Sequence, residues 1–172
     1  MKKTICRLIY YHFAFYLPAS YSKPFGGISK RIRYWLCRCI FKSCGKNVNT
    51  ESHASFGAGN LVEIGDNSGI GVNCTIPNHS IIGDNVMMGP NLYALERNHS
   101  FESKEIPMML QGYSEPKCFR IEDDVWIGRD VIATPGRTIK KGSIIAAGCI
   151  LCKDFPEYSI IGGNPSKLIR KR

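Results

Sequence analysis

The sequence predicts an all-β solenoid: a parallel β-helix with a helical cap at its N-terminal end and one excursion loop. The first observation behind this is a period. Ile121, Ile127, Ala133, Ile139, Ile145 and Leu151 recur every six residues, and Ile64, Ile70, Ile76, Ile82 and Met88 do the same earlier in the chain. Neither an α-helix nor an alternating strand has that period, whereas hexapeptide repeats build parallel β-helices. The second observation is what stands three residues past each anchor: Asp124, Asp130, Gly136, Gly142, Gly148 and Asp154 in the later block, Asn67, Asn73, His79, Asn85 and Asn91 in the earlier one. Gly, and to a lesser extent Asn and Asp, tolerate positive φ, so each six-residue unit can end in a corner. The third is a row of small residues four past the anchors, Ser68, Cys74, Ser80 and Val86, then Val125, Val131, Ser143 and Cys149, suited to a narrow interior; Leu92 is the largest. Arg137 breaks this row and must turn outward or find a partner, because an unpaired buried charge is prohibitive.

The elements follow in chain order. Residues 1–45 read as a helical cap. Thr4 to Leu17 forms an aromatic-rich helix ended by Pro18, and a loop runs from Pro18 to Gly27. Ile28, Ile32, Trp35, Leu36, Cys39 and Ile40 then recur at helical spacing beside Lys30, Arg31, Arg33, Arg38 and Lys42, with Gly45 as the expected C-cap. Residues 46–158 read as the β-helix, opening with an irregular coil over Val48 to Asn60. The six-residue register stops at Ala94 and resumes at Ile121. The excursion loop, residues 95–120, holds Arg97, Asn98, His99, Phe101 and Tyr113. Repeat proteins carry such insertions on one face, often the binding face. Residues 159–172 leave the column as a basic tail.

Composition narrows the function classes. A chain of 172 residues with 44% hydrophobic content is long enough for one domain with a core. The net charge of +9 points to an anionic partner, a phosphorylated cofactor or an anionic membrane surface. No nucleic-acid recognition motif is present, so no nucleic acid is expected. Among the eight cysteines, Cys74 and Cys149 take interior positions, and Cys37, Cys39 and Cys44 lack the paired spacing of a zinc site. A reduced, cytoplasmic protein without a metal is expected. Lys2 and Lys3 precede an apolar run, but Arg7, Tyr10, Tyr11 and His12 interrupt it. It is poor as a leader and too short to span a bilayer. The basic, aromatic cap is suited to packing on the column, or to resting on a membrane surface as a peripheral contact.

The motifs IGDN, IGVN and IGDN, then DDVWIG, PGRTI, AAGCILCKDFP and GGNPSKLIR, resemble those of the hexapeptide-repeat acyltransferases. The likeness is greatest to the sugar O-acetyltransferase branch, which includes maltose and galactoside acetyltransferases and enzymes of polysaccharide synthesis. It covers roughly Gly45 to Arg172. It implies a left-handed parallel β-helix, a homotrimer with sites between subunits, acetyl-CoA as donor and a sugar hydroxyl as acceptor. His99 stands where the family has its catalytic histidine, and an imidazole is suited to taking the hydroxyl proton as that oxygen attacks the thioester. Asn73 aligns with an acceptor-binding asparagine, although a corner role serves it equally. By the same likeness Arg129, Ala147, Cys152, Lys153, Lys167 and Arg170 contact CoA. Lys and Arg suit its phosphates through charge-assisted bonds. Arg129 is bulkier than the usual residue, so its amide is the expected contact, and Cys152 replaces a usual threonine. Trp126 either lines the cofactor cleft or fills a wall between subunits. The family's usual small-sugar lid sequence is not apparent in the N-terminal segment, which favours an acceptor in a capsule, O-antigen or exopolysaccharide precursor. An N-acyltransferase of an amino sugar and a non-catalytic β-helical scaffold remain the alternatives.

Overall fold

In the regular turns eighteen residues separate paired strands, which is three six-residue units per turn of the chain. In the computed structural model, which describes residues 2–172, Ile64 pairs with Ile82, Ile121 with Ile139, Ile127 with Ile145 and Ala133 with Leu151, all in parallel. The chain visits three sheets in turn. The first holds β1 (Ser43–Cys44), β3 (Glu63–Ile64), β5 (Ser80–Ile82), β8 (Phe119–Ile121) and β11 (Thr138–Ile139). The second holds β6 (Met87–Met88), β9 (Trp126–Ile127), β12 (Ile144–Ile145), β14 (Ser159–Gly162) and β15 (Lys167–Lys171). It is continued by β2 (Asn49–Thr50) and β4 (Gly69–Ile70), where the Gly69 amide donates to the Val86 carbonyl at 3.1 Å. The third holds β7 (Tyr93–Ala94), β10 (Ile132–Ala133) and β13 (Ile150–Leu151), with Thr75 bridging Tyr93.

The core is a column of the anchors and the small row. Ile70, Ile127, Ala133, Cys74, Leu92, Val131, Ser143 and Cys149 are all fully buried. Burial alone pushes the Cys74 thiol up to about 11, so it behaves as a small apolar group. The buried hydroxyls bond locally: Ser68 Oγ donates to the Gly83 carbonyl at 2.6 Å and Ser80 Oγ to the Pro77 carbonyl at 2.7 Å.

The corners explain the IGDN motif residue by residue. Asn67 and Asn85 adopt φ of 55° and 58°, the left-handed turn that asparagine tolerates. Their amides stack, with Asn67 donating to Asn85 Oδ1 at 3.4 Å and Asn47 to Asn67 Oδ1 at 3.2 Å. An Asp before the corner residue accepts the amide of the residue one turn back: Asp84 Oδ1, before Asn85, from Asp66 N at 2.6 Å, and Asp123 Oδ1, before Asp124, from Asp84 N at 2.9 Å. A Cβ at Gly65 or Gly83 would collide with that carboxylate, which is why the motif needs glycine there.

Two expected corners differ. His79 is not left-handed. The chain bends at Asn78 and His79 after Pro77, and the Ser80 hydroxyl closes the bend. Asp154 is not left-handed either. Its carboxylate instead accepts the Thr138 amide at 3.1 Å and lies 3.5 Å from Arg137. That settles Arg137: its guanidinium turns toward the end of the column, where Nη1 donates to the Cys152 carbonyl at 3.1 Å and Nη2 to the Pro135 carbonyl at 3.3 Å.

Two helices close the N-terminal end, α1 (Lys2–His12) and α2 (Gly26–Ile40), joined through a short turn at Ala14–Tyr16. Cys6 and Tyr10 face inward from the first, Ala14 from the turn, and Arg33, Leu36, Cys37 and Ile40 from the second. Tyr10 stacks on Phe56 at 4.6 Å and donates to the Ala54 carbonyl at 2.8 Å. Arg33 is fully buried and donates to the carbonyls of Thr50, Leu17 and Pro18 at 2.6, 3.0 and 3.1 Å, with Glu51 at 3.6 Å. The helix ends at Ile40 with Phe41 extended, so Gly45 is no C-cap; it belongs to the first turn of the column, close against Asp66. The coil therefore begins at β1 and the excursion ends before β8. Residues 159–172 do not hang free: β15 folds back antiparallel on β14.

Candidate active site

The excursion leaves the third sheet after Ala94 and returns to the first at Phe119. It holds no regular strand, but its two limbs are tied by backbone hydrogen bonds into an arm. The Lys117 amide donates to the Glu96 carbonyl at 2.9 Å, Ser114 to Asn98 at 2.9 Å and Ser100 to Gly112 at 3.1 Å. His99 sits opposite Tyr113 in this ladder. Its ring is exposed and stacks on the Tyr113 ring at 4.2 Å, with the Arg97 guanidinium 4.5 Å from the same ring. The imidazole is thus oriented by a backbone bridge and by stacking on one aromatic ring. Tyr113 and Arg97 carry no motif of their own; the place of Tyr113 beside His99, and so of Arg97 against the same ring, follows from the antiparallel bridge of the arm.

At the arm's root a cleft of about 560 Å³ opens along the outer side of the third sheet, lined by Ser55, Thr75, Pro77, Asn78, Tyr93 and Arg97 among others. Asn73 is not in this lining. It is an exposed corner residue with φ of 56°, and its amide donates to the Ser52 carbonyl at 3.1 Å.

The residues expected at CoA fall into two groups. Gly89, Gly128, Arg129 and Ala147 stack at one corner, so close that a Cβ on Gly128 would strike the Ala147 backbone. The Arg129 side chain turns along the surface to Asp130 at 2.9 Å. Asn91 also donates to Asp130, at 2.7 Å, and together they hold that carboxyl below its ordinary range. The second group lies on the second sheet. Register aligns Trp126 with Ile144, Ile144 with Ile160 and Ile160 with Arg170. This makes one outward row with an aromatic residue at one end and a cation at the other, about 14 Å apart at ordinary strand spacing. Lys167 stands at the start of the same edge strand. Such a shelf fits a slender apolar arm that ends in phosphates. Cys152 is exposed, with Sγ 3.3 Å from Ser166 Oγ, and that hydroxyl lowers its pKa. Lys153 Nζ rests 5.4 Å from the Phe155 ring. Among the described residues no cluster of His, Cys, Asp and Glu could hold a metal ion.

A three-sheeted column of parallel strands with an inserted arm is the architecture of solved sugar acetyltransferases. Galactoside acetyltransferase in complex with coenzyme A superposes with a TM-score of 0.79 at 30% identity, covering 99% of this chain and 80% of that one. A maltose O-acetyltransferase from Clostridium difficile gives 0.78 at 28%, covering 99% and 86%. The Escherichia coli galactoside O-acetyltransferase is 34% identical over 138 residues, 79% of this chain and 66% of that enzyme. A Saccharomyces cerevisiae protein, an acetyltransferase by name only, is 36% identical over 136 residues, 78% of this chain and 68% of its own length. The matched stretch of a similar Schizosaccharomyces pombe protein is only 58% of that protein. No protein-family profile matches the chain. The chain belongs to the family of hexapeptide-repeat acetyltransferases.

Proposed function

We propose that the chain is an acetyl-CoA-dependent O-acetyltransferase acting on a sugar hydroxyl, and that its column is a left-handed β-helix. The observation that carries this reading is His99, an exposed imidazole held by a backbone bridge to Tyr113 and stacking on its ring, on an excursion whose root, through Glu96 and Arg97, borders a cleft, in a chain whose relatives include sugar acetyltransferases. His99 takes the proton from the acceptor hydroxyl as that oxygen attacks the thioester carbonyl. The carbon–sulfur bond breaks, the acetyl ester forms, and the proton passes to the departing thiolate to give free CoA. Bound acetyl-CoA supplies the activated acyl group. The chain's part is to hold it on the shelf of Trp126, Lys167 and Arg170 and at the corner of Arg129 and Ala147, with Cys152 and Lys153 beside the tail. Asn73 is proposed to touch the acceptor.

The working form is proposed as a homotrimer. The outward rows of two sheets are apolar: Met87, Trp126, Ile144 and Ile160 on the second, Tyr93, Ile132 and Ile150 on the third. The first sheet presents Glu63, Ile81, Arg120 and Thr138. Two unlike sticky faces on one prism favour a head-to-tail contact, and head-to-tail contacts that close make rings. The arm adds exposed Phe101, Ile106, Met108, Met109 and Leu110, which are suited to covering a neighbour. The acceptor is proposed to be a unit of a surface polysaccharide precursor, handled in the cytoplasm.

The test is CoA release from acetyl-CoA against a panel of free sugars, amino sugars and glycan precursors. His99→Ala should lower turnover by about 10²–10⁴ while acetyl-CoA binding survives. Near-native turnover in that variant would remove His99 from the chemistry, and acetylation of amines alone would move the enzyme to the N-acyl class.

A further inference from the structure

The helical cap places apolar side chains on both of its faces. In α1 the inner stripe is Cys6 and Tyr10, continued by Ala14 in the turn that follows, buried against the column. A second stripe, Ile5, Leu8 and Ile9, extended by Phe13 just past the helix end, points into solvent. In α2, Ile28 and Trp35 are exposed on the outer side, Trp35 at 62%. Ile9, Phe13, Arg31, Ile32 and Trp35 together border an open apolar cleft between the two helices. Lys2 and Arg38 continue this surface beyond Trp35. A soluble face with no partner does not ordinarily carry a contiguous stripe of this kind.

Charge says what the partner is. Of the chain's 23 Lys and Arg, ten lie within residues 1–50, which contain no Asp or Glu. The rest of the chain is nearly balanced, thirteen basic residues against fourteen acidic ones. The entire net charge of +9 therefore resides at the capped end. Of the basic residues there, Arg33 is buried under Glu51 and Lys42 is paired with Glu63, while Lys2, Arg31 and Arg38 surround the apolar stripe. A second copy of the same cap is a poor occupant, because two such surfaces repel. An aromatic and aliphatic stripe rimmed by Lys and Arg matches the boundary between acyl chains and anionic headgroups. No helix among the described residues is long and apolar enough to cross a membrane.

We propose that the outer face of the N-terminal cap is a docking surface for an anionic phospholipid bilayer, with Ile5, Ile9, Phe13 and Trp35 entering the interface and Lys2, Arg31 and Arg38 meeting phosphates. The experiment is flotation of the full chain with phosphatidylcholine vesicles, with and without phosphatidylglycerol, at low and high salt, together with quenching of Trp35 fluorescence by brominated lipid in a Trp126→Phe background. The expected result is binding only to the anionic vesicles, reversed by salt, with Trp35 quenched. Arg31→Ala with Arg38→Ala should weaken partitioning roughly thirtyfold, at about the contribution of one surface cation each. Phe13→Ser with Trp35→Ser should weaken it by roughly tenfold or more. All four side chains are exposed, so unchanged circular dichroism and melting are expected and are checked alongside. Absence of binding at low salt, equal binding to neutral vesicles, or cap-dependent self-association in sedimentation would each overturn the proposal. Flotation needs neither acetyl donor nor acceptor, so acetyl transfer to a soluble sugar and vesicle binding stand or fall separately.

Discussion

Cys152 and Cys37 show how differently one residue type behaves in this chain. Cys37 is buried beneath the cap and its thiol is pushed up to about 12 by desolvation. Cys152 lies in the open with its thiol lowered by the Ser166 hydroxyl. A thiolate is the reactive form, so Cys152 should be alkylated by iodoacetamide ahead of the buried thiols, Cys37, Cys74 and Cys149. If it borders the cofactor shelf, saturating acetyl-CoA should slow that alkylation while leaving the rate at other cysteines unchanged; peptide mapping by mass spectrometry reads both. Equal rates with and without acetyl-CoA would place Cys152 outside the site. The sequence exposed Cys152 through its motif but gave no hint of Ser166, because that contact joins a corner to a fold-back fourteen residues later. For the same reason it offered His99 as a candidate but not its stacking on the Tyr113 ring. Short-range patterns mark positions in the repeat, whereas partners across an arm depend on where the arm turns.

At the scale of elements, the join between cap and column rests on Arg33. Its guanidinium satisfies three carbonyls, from the first turn of the column and from the linker after the first helix, and Glu51 balances its charge. Glu51 is in turn bonded by Ser20 and Asn49. Removing one partner of a buried pair leaves the other uncompensated. Arg33→Ala should therefore lower stability by about 3–5 kcal/mol, measured by urea unfolding. Arg33→Met, which fills the volume but makes none of the bonds, should rescue little of it, because three carbonyls stay unsatisfied. Helical spacing in the sequence grouped Arg33 with Arg31 and Arg38 as surface charge. Its inward placement became visible only once the second helix was set against Thr50 and Glu51. The strands were more legible: corners, anchors and interior row all derive from a single six-residue rule. Where that rule strained, at His79 and Asp154, a proline bend and a carboxylate bond replaced the left-handed turn.

For the whole molecule, the two ends matter as much as the walls. A column of parallel strands exposes unpaired amides and carbonyls at its last turn, and each turn is a template for the next. Helices α1 and α2 cover one end. At the other, the fold-back of β14 and β15 reverses strand direction, and β15 is a fully exposed strand carrying Lys167, Arg170 and Lys171. The turn before it also shields the third sheet, with the Ser166 amide donating to the Ile150 carbonyl at 3.1 Å and Ile150 donating to Gly163 at 3.0 Å. The strand proposed to hold CoA phosphates is thereby also a stopper against polymerisation. Ending the chain after Gly163 should leave a bare parallel edge, and light scattering should then grow with concentration and time, the particles lengthening along one axis under the electron microscope. Charge at this edge would serve both purposes at once: the cations proposed to attract a phosphorylated ligand also repel the approach of another column end, which disfavours growth into a fibre.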